Sequence, residues 1–165
     1  MKWIEVETGE HISRVAEPPH SIAQAKIDDK GRLKLPSESL DWCRKSSVVN
    51  VFVTTTDKKT VRIYPISLWL STLSFWEGPG EHAAALADIA MLAKTYGSDG
   101  EIDTQGRLLI SAPLRDVMEL GSEPICLEHI KGRMDFRKKT VHDAAMAAAL
   151  ANLEAKNDIL KKLGF

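Results

Sequence analysis

Two ten-residue stretches hold the most specific arrangement of reactive side chains in this chain. "IDDKGRLKLP" spans residues 27–36, and "IDTQGRLLIS" spans residues 102–111. Each sets an aspartate four residues before an arginine, with a glycine between them: Asp28, Gly31, Arg32, then Asp103, Gly106, Arg107. The two aspartates stand 75 residues apart. A carboxylate and a guanidinium at this spacing do not make acid–base machinery. The carboxylate can accept backbone N–H groups of a tight turn, and the arginine can bond that carboxylate or an outside anion. Two chemistries therefore stand open. The turns are pinned for folding alone, or they present cations to a partner.

The first stretch favours presentation. Past the turn, Leu33 and Leu35 alternate with Arg32 and Lys34, so period two puts leucines on one face and cations on the other. Lys30, Arg32 and Lys34 form a row suited to phosphate contacts, and an arginine can fork onto guanine. A two-stranded ribbon is one of the elements the major groove admits. The second stretch carries Gln105, Arg107 and Leu109 at the matching positions, so the first should matter more. Asp28 and Asp103 structure the turns, and Gly31 and Gly106 supply positive φ cheaply.

Residues 23–36 read as a β-hairpin. "VVNVFVT" and "TVRIY" read as strands around a "TDKK" turn. Pro65 stops the second strand, Ser67 is placed to cap a helix, and "EGPGEH" ends that helix near Glu77. Residues 81–96 read as another helix. The order then restarts: a second hairpin, the short helix "PLRDVMEL", the strands "EPICLEHI" and "GRMDF", and a long Ala-rich helix from Thr140. Met134 and Phe136 take the places of Val61 and Ile63. An internal duplication of this kind cannot bury enough apolar area as one unit, so two units must share a core. The expected fold is α+β, with two interleaved hairpin–helix repeats around a small β-barrel-like core and peripheral helices. Its parts are an N-terminal extension (1–22), a first repeat (23–80), a linker helix (81–97), a second repeat (98–142) and a C-terminal helix (143–165).

Composition excludes several classes. The chain of 165 residues is 44% hydrophobic and 27% charged, with a formal net charge of −1. No global basic field attracts nucleic acid, so such binding must come from local patches or pooled subunits. Cys43 and Cys126 form no CxxC pair, and reduced thiols are expected. No run of about 18 apolar residues suggests a membrane span. No signal peptide is visible, and cytoplasmic location is expected. His11, His20, His82, His129 and His142 are scattered, with no metal-ligand spacing. No phosphate loop or nucleophile elbow marks an enzyme.

The two Asp-x-x-x-Arg stretches, followed by "VRIYPISLW" with Ile63-Tyr64-Pro65 and Trp69, resemble the MraZ family of bacterial transcription regulators. That family lies within the wider AbrB-like group, and the resemblance covers roughly residues 22–142. It implies AbrB/MraZ-like repeats and DNA binding by Arg32 and Arg107. It also implies assembly into rings, and a place on promoter repeats upstream of a division and cell-wall gene cluster, hence nucleoid association. The expected partners are double-stranded DNA and further copies of the chain, with no membrane, no small-molecule substrate and no cofactor. The chain departs from the family where His142 stands near the position of an expected tryptophan. Its linker helix is poor in basic residues. Its extension is longer, with four glutamates against Lys2 and Arg14. A second reading is therefore an oligomeric scaffold with reduced DNA binding. From Val141 to Leu163, Met146, Leu150, Leu153, Leu160 and Leu163 approximate a heptad-like stripe interrupted by Asn157. It serves either packing on its own domain or a subunit contact.

Overall fold

The computed structural model describes residues 3–8 and 11–165, those up to Val15 by their backbone alone. The charged side chains of the extension before Ala16 lie outside the described residues, whereas Glu17 is described and pairs with His20 at 3.0 Å. Its backbone forms a hairpin, β1 (Trp3–Thr8) and β2 (His11–Ala16), paired from Trp3↔Ala16 to Thr8↔His11. The Trp42 indole N–H donates to the Ala16 carbonyl at 3.0 Å and ties this hairpin to the body.

Each repeat contributes the same parts. The first has β3 (Ala23–Ala25), β4 (Arg32–Lys34), α1 (Ser37–Lys45), β5 (Asn50–Thr55), β6 (Val61–Pro65) and α2 (Ile66–Trp76). After α3 (Ala83–Tyr96) come β7 (Ser98–Glu101), β8 (Arg107–Leu109), α4 (Ala112–Met118), β9 (Ile125–Ile130), β10 (Arg133–Lys138), α5 (Lys139–Leu150) and α6 (Leu153–Lys162).

The repeats exchange strands. The main sheet runs β3-β9-β10-β6-β5-β7, so the first strand of each repeat pairs with the other repeat. The strands β6 and β10 meet at the centre, with Ile63↔Met134 and Val61↔Phe136 placed symmetrically about Arg62↔Asp135. All these pairings are antiparallel. The fold is α+β with six helices among the described residues, but the sheet stays open. The expected barrel does not close because β4 and β8 leave it to pair with each other as a separate two-stranded ribbon. For the same reason residues 23–36 are not a full hairpin. The turn forms, Ile27 bridges Leu33, and then the two strands diverge to different partners.

Strand alternation fills two cores. Leu33, Leu35, Leu108 and Ile110 sink from the ribbon onto Val51, Val53, Val61, Ile63, Leu127 and Phe136 of the sheet. Each such fully buried aliphatic contributes roughly 1.5–3 kcal/mol. On the opposite face, Trp69 of α2 and Ala93 of α3 pack on Phe52 and Tyr64. Cys43 and Cys126 are buried and free.

Two local expectations are corrected. Pro65, not Ser67, is the N-cap residue of α2, because its fixed φ already suits helix entry; Ser67 lies inside the first turn. The long C-terminal helix is two helices, because Ala151 is extended and Asn152 adopts φ 56°. No residue of α6 is buried. Packing on its own domain is therefore not what this helix does.

Candidate functional site

Both Asp–Arg turns adopt one geometry. Asp28 Oδ1 accepts the backbone N–H groups of Lys30 and Arg32, each at 2.9 Å, and its Oδ2 accepts Arg32 Nε–H at 2.8 Å. Asp103 does the same with Gln105 and Arg107, at 2.9, 2.9 and 3.0 Å. Each turn closes with matching backbone bonds, Gly31 N–H to Asp28 O and Gly106 N–H to Asp103 O. The carboxylates sit below the usual aspartate range, chiefly because they accept the arginine backbone N–H groups. Each arginine spends only its Nε on the aspartate, so the Nη groups at the end of the fork have no partner among the described residues. Both arginine side chains are 32% exposed. The second copy is thus as well formed as the first.

Gly31 holds φ 80° and Gly106 holds φ 74°, a region that disfavours residues with a Cβ. Each glycine also lies under the short helix of the other repeat. A Cβ on Gly106 would meet Leu40 of α1 at 2.6 Å, and one on Gly31 would meet the Arg115 guanidinium of α4 at 2.7 Å.

The ribbon brings the expected cations together. Leu33 and Leu108 pair and point inward, which turns Arg32, Lys34, Arg107 and Leu109 outward on one face. Lys34 lies directly opposite Arg107 in the ladder, and Arg32 lies opposite Leu109. Like charges facing across a ladder are unfavourable unless something draws them. Lys34 Nζ donates to the Gln105 carbonyl, so one of its three protons already holds the second turn. Lys30 stands apart from the ribbon, exposed at the tip of the first turn.

Two further cations brace the ribbon and its turns and escape a reading built on the turns alone. Arg44 Nη2–H donates to the Thr104 carbonyl at 3.1 Å, and Arg115 Nε–H donates to the Ile110 carbonyl at 3.0 Å. Both come from the short helices after the ribbon, and each steadies the end of the second strand or its turn. Their signal in sequence is weak, since a basic residue near a helix end is ordinary. No group of three or more metal-ligating side chains occurs among the described residues. No described helix is long and apolar enough to cross a membrane.

No family model matches the chain. Individual relatives do, over part of their length. The chain is 31% identical over 102 residues to the transcriptional regulator MraZ of Nitrosomonas europaea, covering 62% of this chain and 69% of the relative. It is 29% identical over 102 residues to that of Nitrosomonas eutropha, with the same coverage of 62% and 69%. It is 26% identical over 126 residues to that of Acidobacterium capsulatum, covering 72% of this chain and 79% of the relative.

Proposed function

The chain belongs to the MraZ family of transcriptional regulators, and from that premise we propose that it binds duplex DNA through the outward face of the β4–β8 ribbon. The observation that carries this reading is the pair of arginines held by identical aspartate clamps with their terminal N–H groups unspent. A guanidinium fixed at Nε keeps its planar edge available for a phosphate or for guanine O6 and N7. Arg32 and Arg107 take those contacts. Lys30 and Lys34 bind phosphate, and Asp28 and Asp103 orient the arginines. A ribbon of three residues per strand is small, so useful affinity comes from several copies of the chain engaging repeated sites together. In that reading the protein acts as a homo-oligomer at promoter repeats, repressing a division and cell-wall cluster from the nucleoid, with no cofactor and no catalysis.

Leu109 standing where Lys34 stands in the first repeat favours a second reading, an oligomeric scaffold with reduced DNA binding. One titration separates them. Fluorescence anisotropy is followed with duplex DNA from upstream of the protein's own gene, against a shuffled duplex, across a salt series. Preferential binding that weakens steeply with salt, and that Arg32→Ala abolishes, supports DNA recognition. Equal, feeble binding to both duplexes supports the scaffold.

A further inference from the structure

The two repeats cover the outer face of the sheet unequally. In the first, the Phe52 and Trp69 rings stack with centroids 4.2 Å apart, and Tyr64 leans on Trp69 at 5.4 Å. The register gives the counterparts in the second. Val53 pairs with Ser98 and Ile63, as Leu127 pairs with Ala23 and Phe136. Cys126 therefore occupies the place of Phe52, and Arg137 the place of Tyr64. His142 occupies the place of Trp69, each being the fourth residue of its helix.

A thiol, a guanidinium and an imidazole replace three rings and leave a cavity of about 90 Å³ lined by Thr60, Arg62, Cys126, Glu128, Arg137 and His142. Its wall carries donors without acceptors. Arg62 Nε is buried with no partner, and Arg62 Nη1 reaches only Tyr64 Oη at 3.3 Å. Arg137 Nη2 meets His142 Nδ1 at 3.3 Å. Asp135 also borders the cavity, but Arg133 occupies both its oxygens, at 2.8 and 3.0 Å. Glu128 lines the cavity too, and Asp57 lies close enough to Arg62 to feel its charge, so Glu128 and Asp57 are the acids set against the two guanidiniums. Each water occupies about 30 Å³ of liquid, so the space suits a guest the size of about three waters.

We propose that this cavity binds a small oxyanion, a carboxylate or a phosphate, through the guanidiniums of Arg62 and Arg137. Both groups present forked donors that match such an anion. The aromatic plug of the first repeat shows what fills this position when no guest is needed. The site lies across the sheet from the ribbon and stands or falls apart from DNA binding.

The test is a ¹H–¹⁵N correlation titration of the full chain with sodium phosphate and, separately, sodium acetate, at ionic strength matched with chloride. Saturable shifts are expected at the amides of Thr60, Arg62, Glu128, Arg137 and His142. Arg137→Gln should weaken the affinity about tenfold. His142→Trp, which installs the first repeat's plug, should abolish the shifts while the turn amides at Asp28 and Asp103 keep their positions. A response to one salt alone identifies the oxyanion and supports the site. Absence of saturable shifts at those five amides with both salts overturns it, as does their survival in His142→Trp.

Discussion

Gly31 and Gly106 hold nearly the same φ, yet they differ in what covers them. Substitution by alanine costs both about 1–2 kcal/mol for the left-handed backbone. Gly31→Ala then meets the end of a flexible arginine, whereas Gly106→Ala meets the branched Leu40 side chain at 2.6 Å. Urea denaturation should therefore show the larger loss at Gly106, and equal losses would dismiss the packing difference. The aspartates make a prediction with pH. Their pKa values are lowered by folding, so the stability they contribute is complete above the ordinary value of 3.8. It is lost as pH falls through the folded values below it. Asp28→Asn should lower the melting temperature at neutral pH and flatten the acid limb of the melting curve. His129 acts in a higher window. Burial pushes its pKa down to about 4 from 6.5, beside Trp42 and the Ser39 hydroxyl. A histidine depressed by burial is neutral in both states at neutral pH and destabilises the fold as pH falls from 6.5 towards 4, where only the unfolded chain takes up its proton. The effect is about 2 kcal/mol after discounting its partial exposure. His129→Gln should remove that slope in melts taken across the window.

At the scale of elements, α2 and α6 make opposite predictions. Trp69 is 4% exposed and stacked on Phe52, so Trp69→Ala should cost about 3–5 kcal/mol in chemical denaturation. DNA affinity measured on the folded fraction should stay unchanged, because α2 lies across the sheet from the ribbon. Removal of residues 152–165 should leave the melting temperature nearly unchanged at low concentration, since α6 buries nothing. If Leu153, Leu160 and Leu163 form a subunit contact, light scattering will show a smaller mass. Most elements were legible in the sequence because periodicity and punctuation are local signals: Val51 and Val53 alternate inward, Pro113 opens α4, and "EGPGEH" stops α2. The ribbon was not legible. The alternation of Leu33 and Leu35 says which face is buried but not which strand lies alongside. Nothing local reports that β3 leaves its own repeat. The break at Asn152 was hidden too, because alanines on its N-terminal side carry high helix propensity into a residue that can take positive φ. The clamps were readable at the motif, and the cavity was foreshadowed only by His142 standing in a tryptophan's place.

For the whole molecule, a net charge of −1 supplies no long-range attraction to DNA. In the proposed reading, affinity arises from a few local contacts multiplied by valency. Arg32→Ala should cost on the order of 1–3 kcal/mol per engaged ribbon, and Lys30→Ala should reduce the salt slope by about one unit per subunit. A variant that stays monomeric should bind a repeated promoter about 10²–10⁴-fold more weakly, while its affinity for a single repeat is preserved. Anisotropy against one-repeat and multi-repeat duplexes measures both quantities.

The exchange of β3 and β7 between the repeats also sets a schedule for synthesis. Ala23 pairs with Leu127, so a strand made near the start waits for one made about 100 residues later. At roughly 5–20 residues per second, that wait lasts about 5–20 s. Throughout it the first half emerges with the apolar faces of β5 and β6 still missing β10 beside them. Ribosome-bound chains arrested before β9 should be cut readily by protease. Those arrested with β10 fully emerged should resist, with little gradation between the two.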